Sequence, residues 1–359
     1  MGGAGRLPRR RIHRQRVPGR PGGGRTSRTP GPDPVTVNHP APGVTGPGSD
    51  RADLDLFEAE RPRLWGLAYR MLGVVDDAED VVQETWLRWG SVDSADVANP
   101  AAWLTTVATR LSLDRLRSAQ RSRTSYVGPW LPEPLLGGPT PDPDTDADHD
   151  PERRALLAES VTLGFLALLE RLGPVDRAVL LLHDVFGWPY REVGEMIGRS
   201  ESAARQIGRR ARERVSGDRV RFDPDPERVR ELSEAFLEAV TAGDMESLTS
   251  MMVEDVFHIG DGGAEHHAAR RPVRGRVRVA RFLVNLVGRL GTGDLTGVEV
   301  HPVVANDQVG YYLTVDGEPL LLTVLTWRGD AVAAIHLIRN PSKLRAFHRA
   351  WDTSRRRSG

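Results

Sequence analysis

The sequence predicts a multidomain protein: two all-α blocks followed by an α+β domain. Three observations predict it. Apolar residues recur at helical spacing from about 54 to 120 and again over 153–215. Stretches rich in proline, glycine and acids interrupt that pattern at 126–152 and 222–226. Past residue 250 the pattern changes to short valine, leucine and aromatic runs with Asp-Gly turns, the mark of paired strands. A chain of 359 residues has room for two or three such domains.

The elements follow in order. Residues 1–50 hold 11 Gly, 9 Pro and 9 Arg against 2 acids, too little apolar material to offset the entropy of ordering. They are predicted to be a disordered basic tail. Within 51–125, Leu54, Phe57, Leu64, Leu67, Met71 and Leu72 mark a first helix. A second, 76–89, opens with Asp76, Asp77, Glu79 and Asp80, acids that suit the positive end of a helix dipole. A third starts at Asn99-Pro100, a side-chain cap followed by proline in the first helical position, and runs to about Gln120. Residues 126–152 carry seven acids and no base, and read as a linker. Helical patterning returns over 153–220. Residues 227–348 give two helices, a further helix near 276–290, and the runs VEDVFHI, GVEVHPVV, VGYYLTV, PLLLTVLTW and AVAAIHLI, predicted to pair antiparallel. Residues 349–359 are predicted to be a disordered tail.

Composition removes many functions. Cysteine is absent, which excludes disulfides, thiolate nucleophiles and Cys-ligated metals, and fits a cytoplasmic protein. Lys343 is the single lysine, so no Walker A loop exists. No apolar run approaches the ~20 residues of a bilayer span. The arginine-rich amino terminus lacks the apolar core of a secretory signal.

The segment YREVGEMIGRSESAARQIGRRARERV at 190–215 reads as helix, glycine turn, helix. Gly198 allows the bend and Ser200 caps the second helix. On that helix Ala203, Ala204, Ile207, Gly208, Ala211 and Val215 share one side. Ser202, Arg205, Gln206, Arg209 and Glu213 occupy a sector of about 100° on the other. Arginine and glutamine there suit base edges in a major groove, while Arg210, Arg212 and Arg214 suit phosphates. Helix 100–120 has a related face: Thr106, Arg110, Arg117 and Arg121 lie within about 60° of one another, with Trp103 beside them. A basic face next to an aromatic suits melted DNA. For Trp103 itself core packing is the stronger expectation. The acids of helix 76–89, Glu84 among them, would repel phosphates and point to a protein partner, with Gln83, Trp86 and Trp89 as hydrogen-bonding and aromatic anchors.

Net charge is zero, but as a sum of opposed patches. Residues 1–50 carry +7, 51–98 carry −6, 99–125 carry +4, 126–152 carry −7 and 199–221 carry +5. Basic segments suit DNA and acidic ones a protein.

As a set these motifs resemble a bacterial RNA polymerase sigma factor of the extracytoplasmic-function class. DDAEDVVQETWLRW at 76–89 looks like the helix that grips the polymerase clamp. NPAAWLTTVATRLSLDRLR at 99–117 looks like the reader of the −10 element, and 190–215 like the reader of the −35 element. WLPEPL at 130–135 and NPSKL at 340–344 resemble marks of the subgroup with a fused SnoaL-like carboxy-terminal domain. That resemblance implies a helical region 2 bundle, a region 4 helix-turn-helix and a curved-sheet cone. It implies core polymerase, through its β′ and β subunits, and promoter DNA as partners, and no cofactor or metal. It places −10 contacts at Asn99, Trp103, Thr106, Arg110, Arg117 and Arg121, and −35 contacts at Ser202, Arg205, Gln206, Arg209 and Arg210. Polymerase contacts fall on Asp76, Asp77, Glu79, Asp80, Gln83, Glu84 and Trp86. The sequence departs from the subgroup in DGGAE at 261–265 and in Ser342.

The expected regulatory contact joins Trp130, Leu131 and Pro132, apolar groups in an acidic linker, to Asp261, Gly262, Gly263, Asn340, Pro341 and Lys343. An unidentified small ligand in the carboxy-terminal pocket is a natural input. Two rivals stand beside this reading. One is a polymerase-independent helix-turn-helix regulator. The other is a SnoaL-like isomerase or hydrolase drawing on His258, Asp261, His266, His267, Tyr311 or His336. Adjacent His266 and His267 would point to opposite faces of a strand and make poor joint metal ligands.

Overall fold

The computed structural model describes residues 49–123, 126, 128–138, 159–216, 225–266, 268–269, 271–292 and 297–358. The predicted basic tail lies outside them up to residue 48, as do the linker acids beyond 138, residues 217–224 and His267. No helix among the described residues is long and apolar enough to cross a membrane.

Three helices form the first block: α1 (Ser49–Leu72), α2 (Val75–Trp89) and α3 (Pro100–Arg123). Gly73, at φ +68°, turns the chain from α1 into α2. The Asn99 side chain caps α3, accepting from Ala102 N at 3.0 Å. The second block holds α4 (Leu163–Leu169) and α5 (Pro174–Leu180), the latter continuing into a π turn at Leu181–Val185. Then come α6 (Tyr190–Ile197) and α7 (Glu201–Ser216), hinged at Gly198 in the left-handed region.

The two blocks share one apolar core. Leu64, Met71 and Leu104 of the first belong to the same buried cluster as Leu181, Val193 and Ala204 of the second. Arg177, 1% exposed, crosses the seam and donates to Met71 O at 2.6 Å and to Glu170 at 2.7 Å. Arg70 answers it, donating to Ser160 Oγ at 2.7 Å.

The carboxy-terminal domain begins with α8 (Pro226–Ala242) and α9 (Met245–Ser250). Strands β1 (Met252–Asp261) and β2 (Val273–Arg274) precede α10 (Arg276–Thr292). Strands β3 (Val298–Ala305), β4 (Gln308–Val315), β5 (Glu318–Arg328) and β6 (Ala331–Ile338) form a meander, followed by α11 (Pro341–Ser358). Sheet order is β2-β1-β6-β5-β4-β3. Asn306 and Asp307 (φ 52° and 57°) and Asp316 and Gly317 (φ 51° and 84°) make two-residue left-handed hairpin turns.

Two expectations need correction. The pairing is not all antiparallel: β1 runs parallel to β6, Ile259 opposite His336. No hairpin joins those strands, because α10 and the β3–β5 meander lie between them, so nothing forces the antiparallel sense. Nor is 349–359 a disordered tail, since α11 continues to Ser358. Phe347 is buried, and the Trp351 ring packs 4.7 Å from His301 and 5.2 Å from Tyr312. That i, i+4 aromatic pair pins the helix to the sheet and draws the arginines after it into helical order.

Alternation along the strands gives the sheet two jobs. Tyr311, Leu325 and Ile335 face α8 and α10, packing with Phe236 and Val279. Tyr312, Leu322, Val324 and Ile338 face the other way and pack against Leu131, Leu163 and Phe347. The second face receives the linker and the start of the second helical block. There Leu163 N donates to Gln308 Oε1 at 3.0 Å, and Gln308 donates on to Thr326 Oγ1.

Candidate nucleic-acid interface and buried linker latch

The helix-turn-helix is built on small residues. A Cβ at Gly194 would lie 2.8 Å from Arg199 O, and one at Gly208 would lie 2.6 Å from the Tyr190 hydroxyl. Ala204, Ala211 and Val215 are buried on the same side of α7. On the other side Ser202, Arg205, Gln206, Arg209 and Arg210 are all exposed. Arg205 pairs with Glu201 at 2.5 Å and Arg209 with Glu213 at 2.8 Å. Exposed i, i+4 pairs of this kind are weak and can be given up to a phosphate or base edge. Arg212 and Arg214, expected on phosphates, are exposed too, but each bridges to a carboxylate of a neighbouring element. Arg212 donates to Asp184 at 3.0 Å and to the Tyr190 hydroxyl at 2.8 Å, and Arg214 pairs with Asp176. Their carboxylate partners come from the π turn and α5, so these arginines fasten α7 to its own domain.

The basic face of α3 is only partly open. Thr106 Oγ1 donates to Ala102 O, and Trp103 is half-buried with its ring 5.3 Å from that of Trp89. Arg117 is exposed beside Asp114, at 3.0 Å. Arg110 Nε donates to Met196 O on α6 at 3.2 Å, which ties this face to the helix-turn-helix. The Arg121 side chain is outside the described residues.

On α2, Asp76 and Gln83 are exposed. Glu79 pairs with Arg61 at 2.5 Å, Asp80 and Asp77 flank Arg115 at 3.0 and 3.5 Å, and Glu84 pairs with Arg88 at 2.7 Å. The Trp86 ring leans on Phe57 at 4.9 Å. Leu87, passed over in the sequence reading, is 71% exposed on this acidic helix. Its signal was present: a large aliphatic residue four positions after Gln83.

The linker and the carboxy-terminal domain meet in a buried polar node. Asp261 is fully buried and Lys343 is 4% exposed. Lys343 Nζ lies 2.7 Å from Asp261 Oδ2, donates to Leu131 O, and sits 3.9 Å above the Trp130 ring. Leu131 N donates to Asp261 Oδ2 at 2.8 Å. Asp261 Oδ1 accepts from Gly263 N at 3.0 Å and from the Tyr126 hydroxyl at 2.5 Å. Asn340 donates to that hydroxyl at 2.8 Å and Pro341 starts α11 beside it. The glycines are sterically required. A Cβ at Gly262 would lie 2.2 Å from His266 O, and one at Gly263, φ +62°, would lie 2.8 Å from Asn340 Nδ2. Trp130 and Pro132 close over Gly73, where a Cβ would lie 2.7 Å from the indole. Of the expected linker-contact residues, the node joins Trp130 and Leu131 to Asp261, Gly263, Asn340 and Lys343 and adds Tyr126, while Pro132 packs on Gly73 of α1.

Two further residues were not singled out. Glu133 Oε2 accepts from Val75 N at 2.9 Å, its amide donates to Gly73 O at 2.8 Å, and its carbonyl accepts from Tyr69 Oη at 2.7 Å. An acid counted as part of a charged linker is therefore the cap of α2. Asn306 Nδ2 donates to Tyr69 Oη and to Val161 O, both at 2.8 Å, while its Oδ1 accepts from Leu135 N at 2.9 Å. One hairpin residue joins α1, the linker and the approach to α4. The Asn-Asp turn was readable, but partners so far along the chain were not.

The catalytic candidates scatter. Asp261 is consumed by the node. His258 and His336 are 0% and 1% exposed, and burial holds each at about 4. The His258 ring lies tilted against Phe282 on α10, centroids 4.5 Å apart, whereas His336 faces Gly164 of α4 on the opposite side of the sheet. His266 is exposed. No cluster of metal-ligating side chains occurs among the described residues.

Comparison with known proteins agrees with this geometry. Residues 56–122 match the family Sigma-70 region 2, and residues 163–215 match Sigma-70, region 4. The chain is 42% identical to the ECF RNA polymerase sigma factor SigJ of Mycobacterium tuberculosis over 296 residues, 80% of this chain and 91% of that protein. It is 35% identical to the probable ECF RNA polymerase sigma factor SigI of the same species over 199 residues, 55% of this chain and 65% of that protein. The crystal structure of SigJ superposes with a TM-score of 0.63 at 38% identity, covering 81% of this chain and 98% of that one.

Proposed function

Because the chain belongs to the extracytoplasmic-function sigma factors of bacterial RNA polymerase, we propose that its own SnoaL-like domain governs when its two DNA-reading surfaces become available. A sigma factor directs promoter recognition and initiation, and bond making belongs to the core enzyme. In this reading Asp76, Gln83, Trp86 and their acidic neighbours on α2 face the β′ and β subunits. The α3 face reads the −10 element, the exposed face of α7 reads the −35 element, and the protein works in the cytoplasm, where polymerase is.

Physical scale supports a closed resting state. The two promoter elements are roughly 25 base pairs apart, on the order of 80 Å of duplex. Here α3 and α6 touch through Arg110 and Met196, and the two helical blocks share a core. With α6, the partner helix of α7, held against α3, the two readers stand too close for elements so far apart, so binding must pull them away from one another.

The observation that carries the regulatory reading is the Asp261–Lys343 pair closed on Leu131. It fixes the linker between the two readers to the carboxy-terminal domain. Run-off transcription with core polymerase tests it, comparing the full-length protein with Asp261→Asn, Lys343→Met and Trp130→Ala. Promoter output should change in all three while the promoter preferred stays the same. Unchanged output from all three would sink the regulatory role.

A further inference from the structure

The neutral carboxy-terminal domain hides a strong separation of charge. Residues 227–265 hold ten acids against two arginines. Between Glu265 and Asp294 the balance reverses, with seven arginines and no acid. Strand β2 and helix α10 bring this basic stretch to the surface. Arg271, Arg274, Arg278, Arg281 and Arg289 are all exposed. On α10, Arg278, Arg281, Asn285 and Arg289 lie within about 80° of one another and extend along the helix for about 17 Å. The other side of α10 is fixed in the core by Val279, Ala280 and Leu283, so the arginine face can only point outward.

These arginines lack counter-charges. Arg205 on α7 and Arg228 on α8, also exposed, each hold a carboxylate, at 2.5 and 3.0 Å. None of the five meets a carboxylate among the described residues. Arg274 lies over the Phe257 ring at 5.5 Å, and the buried Nε of Arg276 finds no acceptor among the described residues. Like charges gathered this closely repel one another, and a polyanion laid across them removes that repulsion.

The make-up of the face identifies the polyanion. A protein partner would need aromatic or aliphatic anchors. The large apolar group exposed here is Val277 alone, at 50%, while Phe282 is turned against His258. The planar fork of arginine matches phosphate oxygens in pairs. The stretch offers one amide, Asn285, which is too few for reading base edges, and phosphate contacts carry no sequence information. We propose that the arginine face of β2 and α10 is a further DNA contact beside those of α3 and α7, one that grips the phosphate backbone of the duplex whatever its sequence. None of its residues belongs to the latch, so it stands or falls apart from the regulatory reading.

Salt dependence provides the test, because each phosphate contact adds about 0.9 to the slope of log affinity against log salt. Full-length protein loaded on core polymerase is titrated into a fluorescent promoter duplex and into a shuffled duplex of the same length, over a range of salt. The combined variant Arg274→Gln, Arg278→Gln and Arg281→Gln should bind both duplexes more weakly by the same factor, at least about tenfold at low salt, and flatten the slope by about two to three. The corresponding triple lysine variant keeps the charge and should stay within about threefold of the wild type. If the triple glutamine variant melts at a different temperature, Arg278→Gln alone decides, with an expected slope change of about 0.9. An unchanged slope in the glutamine variants, or a loss confined to the promoter duplex, would overturn the backbone grip. So would a loss of core-polymerase binding with the DNA slope kept, which assigns the face to an acidic protein surface. A loss seen with phosphatidylglycerol vesicles and not with DNA overturns it as well, in favour of a lipid surface.

Discussion

Asp261 and Lys343 hold one linker peptide from both ends: Leu131 N donates to the carboxylate that Leu131 O faces through the ammonium. Both charges are out of solvent, so each compensates the other. Losing one partner leaves an unpaired buried charge, which costs about 3–5 kcal/mol. Lys343→Met and Asp261→Leu should each lower the melting temperature sharply. The double variant should be more stable than either single one, and calorimetry of the three proteins checks the order. Simple additivity would mean that the pair does not act as a unit.

The arginines on the free face of α7 and those bridged to neighbouring elements should separate experimentally. Arg209→Ala and Gln206→Ala remove groups on the free face and should reduce output from a cognate promoter about tenfold, with little change in melting. Arg212→Ala removes bonds to Asp184 and Tyr190 and should act mainly on stability, by about 1–2 kcal/mol. Pairing run-off transcription with thermal melts for each variant distinguishes the two classes. Equal loss of promoter output at unchanged stability in Arg212→Ala would restore it to the phosphate contacts.

Gly208→Ala gives a third outcome. The added Cβ meets the Tyr190 hydroxyl at 2.6 Å, and that hydroxyl is already bound to Arg212. Alanine is the better helix former, by about 1 kcal/mol, so an exposed glycine would become more stable on replacement. Here the expected sign is reversed: a lower melting temperature and weaker promoter binding, because α7 is pushed off α6. Stabilisation on substitution would show that the close approach is not required.

Local signals carried well from sequence to structure, and long-range ones did not. The apolar and basic sides of α7 were legible because 3.6-residue periodicity places Ala204 and Ala211 apart from Arg205 and Arg209 whatever surrounds them. The linker motif was legible through its oddity, Trp130 and Leu131 among acids. Glu133 was misread as one more acid, because capping depends on where Val75 lies. The helical end of α11 was missed because only the folded sheet supplies Tyr312 and His301 for Trp351. The intradomain pairs of Arg212 and Arg214 were not legible for the same reason: their carboxylates lie on elements that sequence spacing does not bring near.

The two buried histidines set the response to acid. Burial holds His258 and His336 at about 4, against an ordinary value near 6.5, and the neighbouring His258 adds to the depression at His336. Between those pH values the unfolded chain takes up protons that the folded chain refuses. The stability they contribute is therefore complete above about 6.5, falls as pH drops toward 4, and changes no further below that. Shifts of this size are worth on the order of 3 kcal/mol per histidine. His336 lies against Gly164 of α4, so acid should loosen the seam between the carboxy-terminal domain and the second helical block first. Urea unfolding at pH 7 and pH 5 checks this in the wild type, His258→Leu and His336→Leu. The wild type should lose stability between the two pH values, and each variant should lose distinctly less. An undiminished pH dependence in both variants would place the acid sensitivity in other groups.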